Sequence, residues 1–150
     1  MARFFRRGVT VFYALPAVTG SSPSRPEITA GTKLTGIAAI AGFAISNSPV
    51  ATPDLDARFT TSVPGEDTAP TSELTFWDED DDTTTRDVLA KDTEVFIVYM
   101  PYGDVPGKRC EVWDVTSTGV NDAIDLGAAG QFKVGFSVNA VPNQAGTIPA

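Results

Sequence analysis

Apolar residues recur along this chain in short runs of period two, cut by proline and glycine, a pattern that predicts strands over most of its length. Val9, Val11, Tyr13 and Leu15 alternate with Thr10, Phe12 and Ala14 until Pro16, which predicts a first strand buried on both faces. Residues 18–33 are rich in Ser, Pro, Thr and Gly and read as a loop, with Pro23 and Pro26 favouring extended backbone. Between Leu34 and Ser46, Ile37, Phe43 and Ile45 share one parity. Gly36 and Gly42, with no charged face of helical period, make this segment a strand.

Asn47 to Thr71 breaks the pattern: 25 residues hold four prolines (Pro49, Pro53, Pro64, Pro70) and no sustained periodicity. A loop of that length inside a compact chain is expected to serve a function. Its centre, Leu55 to Thr61, keeps the aliphatic Leu55 and the aromatic Phe59, so it reads as an arm that packs on another chain.

Strand alternation resumes at Glu73–Trp77, with Leu74 and Phe76 on the inner side. Thr84-x-x-Asp87 reads as a capping signal for one short helix, about 84–91. Thr93–Met100 is apolar on both faces and predicts a central strand. Pro101, Gly103, Pro106 and Gly107 form a turn, Lys108–Thr116 returns antiparallel, and 121–130 reads as a loop. In Gln131–Val138, Phe132, Val134, Phe136 and Val138 face a core, while Gln131, Lys133, Gly135 and Ser137 face water. Six or more strands and one flanking helix predict a mainly β fold, a β-sandwich or partial barrel, in one domain of 150 residues.

Charge narrows the chemistry. Eleven Lys and Arg stand against nineteen Asp and Glu, a net charge of −8, the wrong sign for gripping nucleic acid through its phosphates. The chain has no histidine, which removes the commonest general base and zinc ligand. Its single cysteine, Cys110, lies in a strand-like run and reads as a buried, inert thiol. Asp78, Asp80 and Asp82 occupy the first three ligand positions of a calcium loop, but Thr83 and Leu89 replace the required glycine and glutamate, leaving a solvated acid cluster as the plainer reading. Gly107-Lys108 lacks the rest of a phosphate loop, and no pair of acids is marked out for hydrolysis. No catalytic, cofactor or metal site is expected. No apolar run is long enough for a spanning helix, so no membrane role is expected, and the basic, apolar opening meets Pro16 without a cleavage signature.

The charge is also unevenly spread. Glu66–Glu94 contains eleven acids and two bases, whereas Arg3, Arg6 and Arg7 form a basic N-terminal arm (1–8) free of acids. Such polarity suits head-to-tail contact between identical copies.

Three stretches, Glu27-Ile28-Thr29-Ala30-Gly31-Thr32-Lys33-Leu34-Thr35-Gly36, Gly42-Phe43, and Thr52-Pro53-Asp54-Leu55-Asp56-Ala57-Arg58-Phe59-Thr60, come in that order. They are followed by Ser72–Trp77, Arg86–Leu89, Val95–Met100 and the closing Ile148-Pro149-Ala150. Together they resemble the major tail tube protein of long-tailed, non-contractile bacteriophages, particularly those of actinobacteria.

The resemblance implies a structural virion protein and not an enzyme. It implies six copies per ring, four strands from each closing a 24-stranded barrel, and rings stacked into a tube that conducts double-stranded DNA without specific binding. The tape measure and the tail terminator or distal tail proteins would be partners, the phage tail the location, and the host cytoplasm the place of assembly. Within that picture the loop 47–71 reaches an adjacent subunit or ring through Asp54, Leu55, Asp56, Arg58 and Phe59. Arg3, Arg6 and Arg7 become contacts of the arm, and Gln131, Lys133 and Ser137 candidates for the lumen, which is expected to be acidic. The competing reading is an extracellular β-sandwich binding module with Trp77, Tyr102 and Trp113 as its ligand platform.

Overall fold

The computed structural model describes residues 8–78, 83–124, 126–127 and 129–150. Among the described residues ten strands and two helices follow one another. They are β1 (Val11–Leu15), α1 (Arg25–Ala30), β2 (Thr32–Leu34), β3 (Ile37–Ala41), β4 (Ser46–Thr52), β5 (Thr61–Thr68), β6 (Ser72–Trp77), α2 (Thr84–Val88), β7 (Glu94–Met100), β8 (Arg109–Ala123), β9 (Gln131–Val138) and β10 (Asn143–Thr147). The mainly β expectation holds. Eight strands form one antiparallel sheet in the order β2-β1-β7-β8-β9-β6-β3, with β10 beside β8, and β4 and β5 form a separate ribbon.

The sheet curls so that both of its ends bury the same aromatic core. Phe12 of β1 meets Phe43, which precedes β4, with ring centroids 6.2 Å apart, and Phe43 stands edge-on to Trp113 at 5.6 Å. Ile97, Trp113, Val115, Leu74, Phe76, Val134 and Phe136 are fully buried beside them. Phe43 holds a left-handed backbone (φ 55°) and donates its N–H to Ser72 Oγ at 2.9 Å. Gly42 (φ 80°) allows that approach, since a Cβ there would lie 2.7 Å from Ser72 Cα.

Among the described residues the opposite face is covered over only part of its width. Leu15, Val98, Met100, Cys110 and Val112 pack with Ile28 of α1 and with Ile148. β1 and β7 are therefore buried on both faces, as their continuous apolar runs predict. Arg25 fastens this layer: Nη1 grips both Asp104 oxygens at 2.9 and 3.1 Å, and Nη2 donates to the Pro149 carbonyl at 2.6 Å. Burial pushes the Cys110 thiol upward, consistent with an inert group.

Several boundaries differ from expectation. The segment 18–33 contains α1, built on a capping box: Glu27 N–H donates to Ser24 Oγ and Ser24 N–H to Glu27 Oε1. Pro26 fits there because the first helical N–H groups need no intrahelical acceptor. The helix expected at 84–91 spans only Thr84–Val88; Thr83, not Thr84, precedes it, and the Thr83 hydroxyl donates to the Asp87 carboxylate at 3.3 Å. The strand expected from 34 to 46 is broken at Gly36 (φ 70°) and Gly42 into β2, β3 and the start of β4. β8 continues to Ala123 through residues read as a loop, with a register shift between Ser117 and Gly119 that turns it from β7 toward β9.

The largest difference is the segment 47–71. It contains an antiparallel ribbon, Ser46↔Thr68 to Thr52↔Thr61. Its side chains face water on both sides, so no apolar period marks it. The register shifts between Ser48 and Val50, which places Pro49 and Pro64 where the ladder tolerates a missing N–H. Asn47 bridges this irregularity, accepting from the Gly65 N–H and donating to the Gly65 carbonyl, both at 3.0 Å.

Candidate functional site

Among the described residues two surfaces lack the partners their chemistry calls for. The first is the part of the sheet left uncovered by α1 and the C-terminal segment: the second half of β8, then β9, β6 and β3. Its bare face carries Gln131, Lys133 and Ser137 from β9 with Glu73 from β6. Lys133 Nζ lies 3.8 Å from Glu73 Oε1, both half-exposed. The three residues expected at a lumen thus do share one hydrophilic face, opposite Phe132, Val134 and Phe136.

Among the described residues both lateral edges of this four-stranded portion are open: β3 pairs only with β6, and β8 beyond Ser117 pairs only with β9, since β7 leaves it at Thr116. The last bonds on that side run from Ser117 N–H to the Thr93 carbonyl and from Asp92 N–H to the Ser117 carbonyl. An open antiparallel edge is a row of unpaired donors and acceptors and a template for another strand.

The second surface is the tip of the β4–β5 ribbon. Residues 53–60 bring Asp54, Leu55, Asp56, Arg58 and Phe59 together, Leu55 fully exposed and Phe59 80% exposed. Asp54 organises the turn: its Oδ1 accepts the Asp56 N–H at 3.0 Å and its carbonyl accepts the Ala57 N–H at 3.2 Å. At about 3.3 Å per residue, seven-residue β4 carries this tip roughly 20 Å from the body.

Arg3, Arg6 and Arg7 lie outside the described residues, as do residues 79–82 of the acid run. Asp78 is described, and with Asp122 it holds Arg86, at 3.1 and 2.6 Å. The Arg86 guanidinium also lies 4.4 Å from the Phe132 ring centre, so one cation pins α2 to the ends of β6 and β8.

The ligand platform does not form. Trp113 is buried in the core, Trp77 ends β6, and Tyr102 sits in the β7–β8 turn at the other end of the sheet. Two clefts among the described residues are open to solvent: one of about 190 Å³ lies between Ile45, Thr68 and Val141, and another of about 440 Å³ between Phe96, Val112 and Val141. No group of three or more acids and cysteines there is placed to hold a metal ion. Sequence reasoning missed the open edges and the exposed Ile124 and Leu126. Apolar residues within a Gly-rich turn were the signal available for the latter.

The fold resembles chains of a contractile injection system, a prophage baseplate and a GTA tail. The chain superposes on a protein of the PVC extracellular contractile injection system, sheath/tube terminator in extended state, with TM-score 0.67 at 9% identity, covering 94% of this chain and 96% of that one. A chain of the anti-feeding prophage baseplate gives 0.62 at 6% identity, with 93% and 95% covered. A chain from the tail of an empty GTA particle, refined helically with C6 symmetry, gives 0.58 at 10%, with 93% and 97% covered. No curated protein matches in sequence. The family model for phage tail tube proteins matches residues 1–150. The chain belongs to the phage tail tube protein family.

Proposed function

We propose that copies of this chain join edge to edge into sixfold rings, and that the rings stack into the hollow tube of a long, non-contractile phage tail. Double-stranded DNA passes through the bore during ejection without being specifically bound. The observation that carries this reading is the four-stranded sheet with one bare hydrophilic face and two open edges. The edge of β3 meets the 118–123 edge of the next copy, and six copies, the symmetry of the GTA tail, close 24 strands with no free edge. At a spacing of about 4.8 Å and a tilt near 40°, the barrel backbone is roughly 45 to 50 Å across, wide enough for a duplex.

The bare face then lines the bore. Glu73 and Lys133 offset each other, so this wall is hydrophilic with little net charge; the acidic lumen expected from the overall charge of −8 finds no support in these strands, and the absence of cationic excess is what keeps DNA from sticking. The role is mechanical and not catalytic. A tape measure and the terminator or distal tail proteins meet the tube, and subunits accumulate in the host cytoplasm before assembly.

The ribbon tip supplies the reach between copies. Leu55 and Phe59 bury apolar surface on a neighbour, and Arg58 pairs with an acid there. The double variant Leu55→Ala/Phe59→Ala is expected to fold, unfold at an unchanged urea midpoint, and fail to form tubes by electron microscopy. Amide exchange at 37–41 and 118–123 is expected to slow sharply on assembly. Normal tubes from the double variant contradict the role of the tip; edges that exchange equally fast in tubes and subunits contradict ring closure.

A further inference from the structure

The proposed tube does not by itself say which surfaces of successive rings meet, and the inference here rests on that reading. β8 (Arg109–Ala123) is the longest strand among the described residues, and a turn flanks it at each end: residues 101–108 before, and Ile124 with residues 126–127 after. At about 3.3 Å per residue these turns lie roughly 45 Å apart along the strand.

The turn after β8 exposes Ile124 (83%) and Leu126 (fully), next to half-exposed Trp77 at the end of β6. Its charge is negative, since Asp78 and Asp122 share one cation, Arg86.

The turn before β8 also exposes apolar side chains, Tyr102 and Val105, but its charge is opposite. Asp104 is neutralised by Arg25 and Glu111 by Arg109, whereas Lys108 has no ion-pair partner among the described residues. Gly103 abuts Val9, where a Cβ would lie 3.1 Å from the Val9 carbonyl oxygen.

Single exposed apolar residues are ordinary on any surface. Here, however, two apolar patches of opposite charge cap the two ends of one strand, which keeps them from meeting within a chain. We propose that the turn bearing Ile124 and Leu126 in one copy seats on the turn bearing Tyr102 and Val105 of a copy in the next ring. Such a contact is heterologous and does not close on itself, so it repeats along the strand direction and gives the stack a polarity. Each contact is small, and the ring multiplies it.

Cysteine cross-linking tests this. Cys110 is fully buried, so the native thiol stays silent. Assembled tubes of the double variant Val105→Cys/Leu126→Cys, mildly oxidised, are expected to give a ladder of covalent multimers on a non-reducing gel. A mixture of the two single variants gives dimers, and each single variant alone gives monomers. Tubes without the ladder, or dimers from one single variant alone, overturn this contact while leaving the tube reading intact. Failure of the unmodified chain to assemble at any concentration overturns the tube reading, and this contact with it. As a second readout, Lys108→Glu is expected to shorten tubes, most strongly at low salt; tubes of unchanged length at low salt count against the charge pairing.

Discussion

The curled sheet and the β4–β5 ribbon have the same antiparallel pairing and opposite relations to water. β6 and β9 are joined by six register pairs, with Phe76 stacked on Phe132 at 5.2 Å and Phe136 buried behind them. β4 and β5 are likewise joined by six, yet every residue of β4 is exposed. A two-stranded hairpin is marginal in water by itself, because its hydrogen bonds only replace those made to solvent. The difference separates what stabilises the subunit from the surface proposed to join copies. The aromatic core holds the subunit together, and the ribbon presents Leu55 and Phe59 at a distance from it.

The heaviest test of that division is Phe136→Ala. Removing a fully buried ring between Phe43 and Val134 is expected to lower the unfolding free energy by about 3–5 kcal/mol in urea titration. A loss below about 1 kcal/mol would mean the core is not what stabilises the sheet.

Next comes the cap of α1. Ser24→Ala should lower stability by about 1 kcal/mol, read in the same titration. The backbone and hydroxyl of Ser24 hold the Glu27 carboxyl below the usual carboxylate range. A group depressed in the folded state stabilises above its unfolded pKa of about 4.3, and that contribution disappears as pH falls through the folded value. Glu27→Gln should therefore differ from the native chain at neutral pH and converge with it in acid. A gap that persists at low pH would assign the effect to packing.

Gly65→Ala sharpens the comparison from the other side. A Cβ at Gly65 would lie 2.1 Å from the Ser48 carbonyl oxygen, so the ribbon must part there. Amides of 46–52 and 61–68 should lose exchange protection while global unfolding shifts by less than about 0.5 kcal/mol. A midpoint that falls along with ribbon protection would show one cooperative unit instead of two. The smallest effect is expected of Lys133→Ala, within about 0.5 kcal/mol, because its pair with Glu73 is exposed and loose.

Where a strand touches the core, its pattern was readable. Phe132, Val134 and Phe136 alternate inward, and the doubly apolar runs of β1 and β7 are covered on both faces. Illegibility began where water took over. The ribbon has polar residues on both sides, and the second half of β8 carries Thr118, Asn121 and Asp122 along one exposed edge, so neither shows a contrast to read. α1 hid because Pro26 and Ser24 read as loop residues until placed as the start and cap of a helix. Of the candidate surfaces, the tip residues and the hydrophilic face of β9 were legible as residues. The open edges were not, since an edge is a property of pairing and every strand could in principle have found two neighbours.

The subunit is proposed to complete itself with copies of its own kind, and end-on cryo-electron microscopy of the purified protein at high concentration tests this most directly. The expected image is a hollow sixfold ring with the strands of β8, β9, β6 and β3 forming an unbroken inner wall. Solitary particles, or rings whose inner wall is interrupted between β3 and residues 118–123 of the next copy, would contradict it.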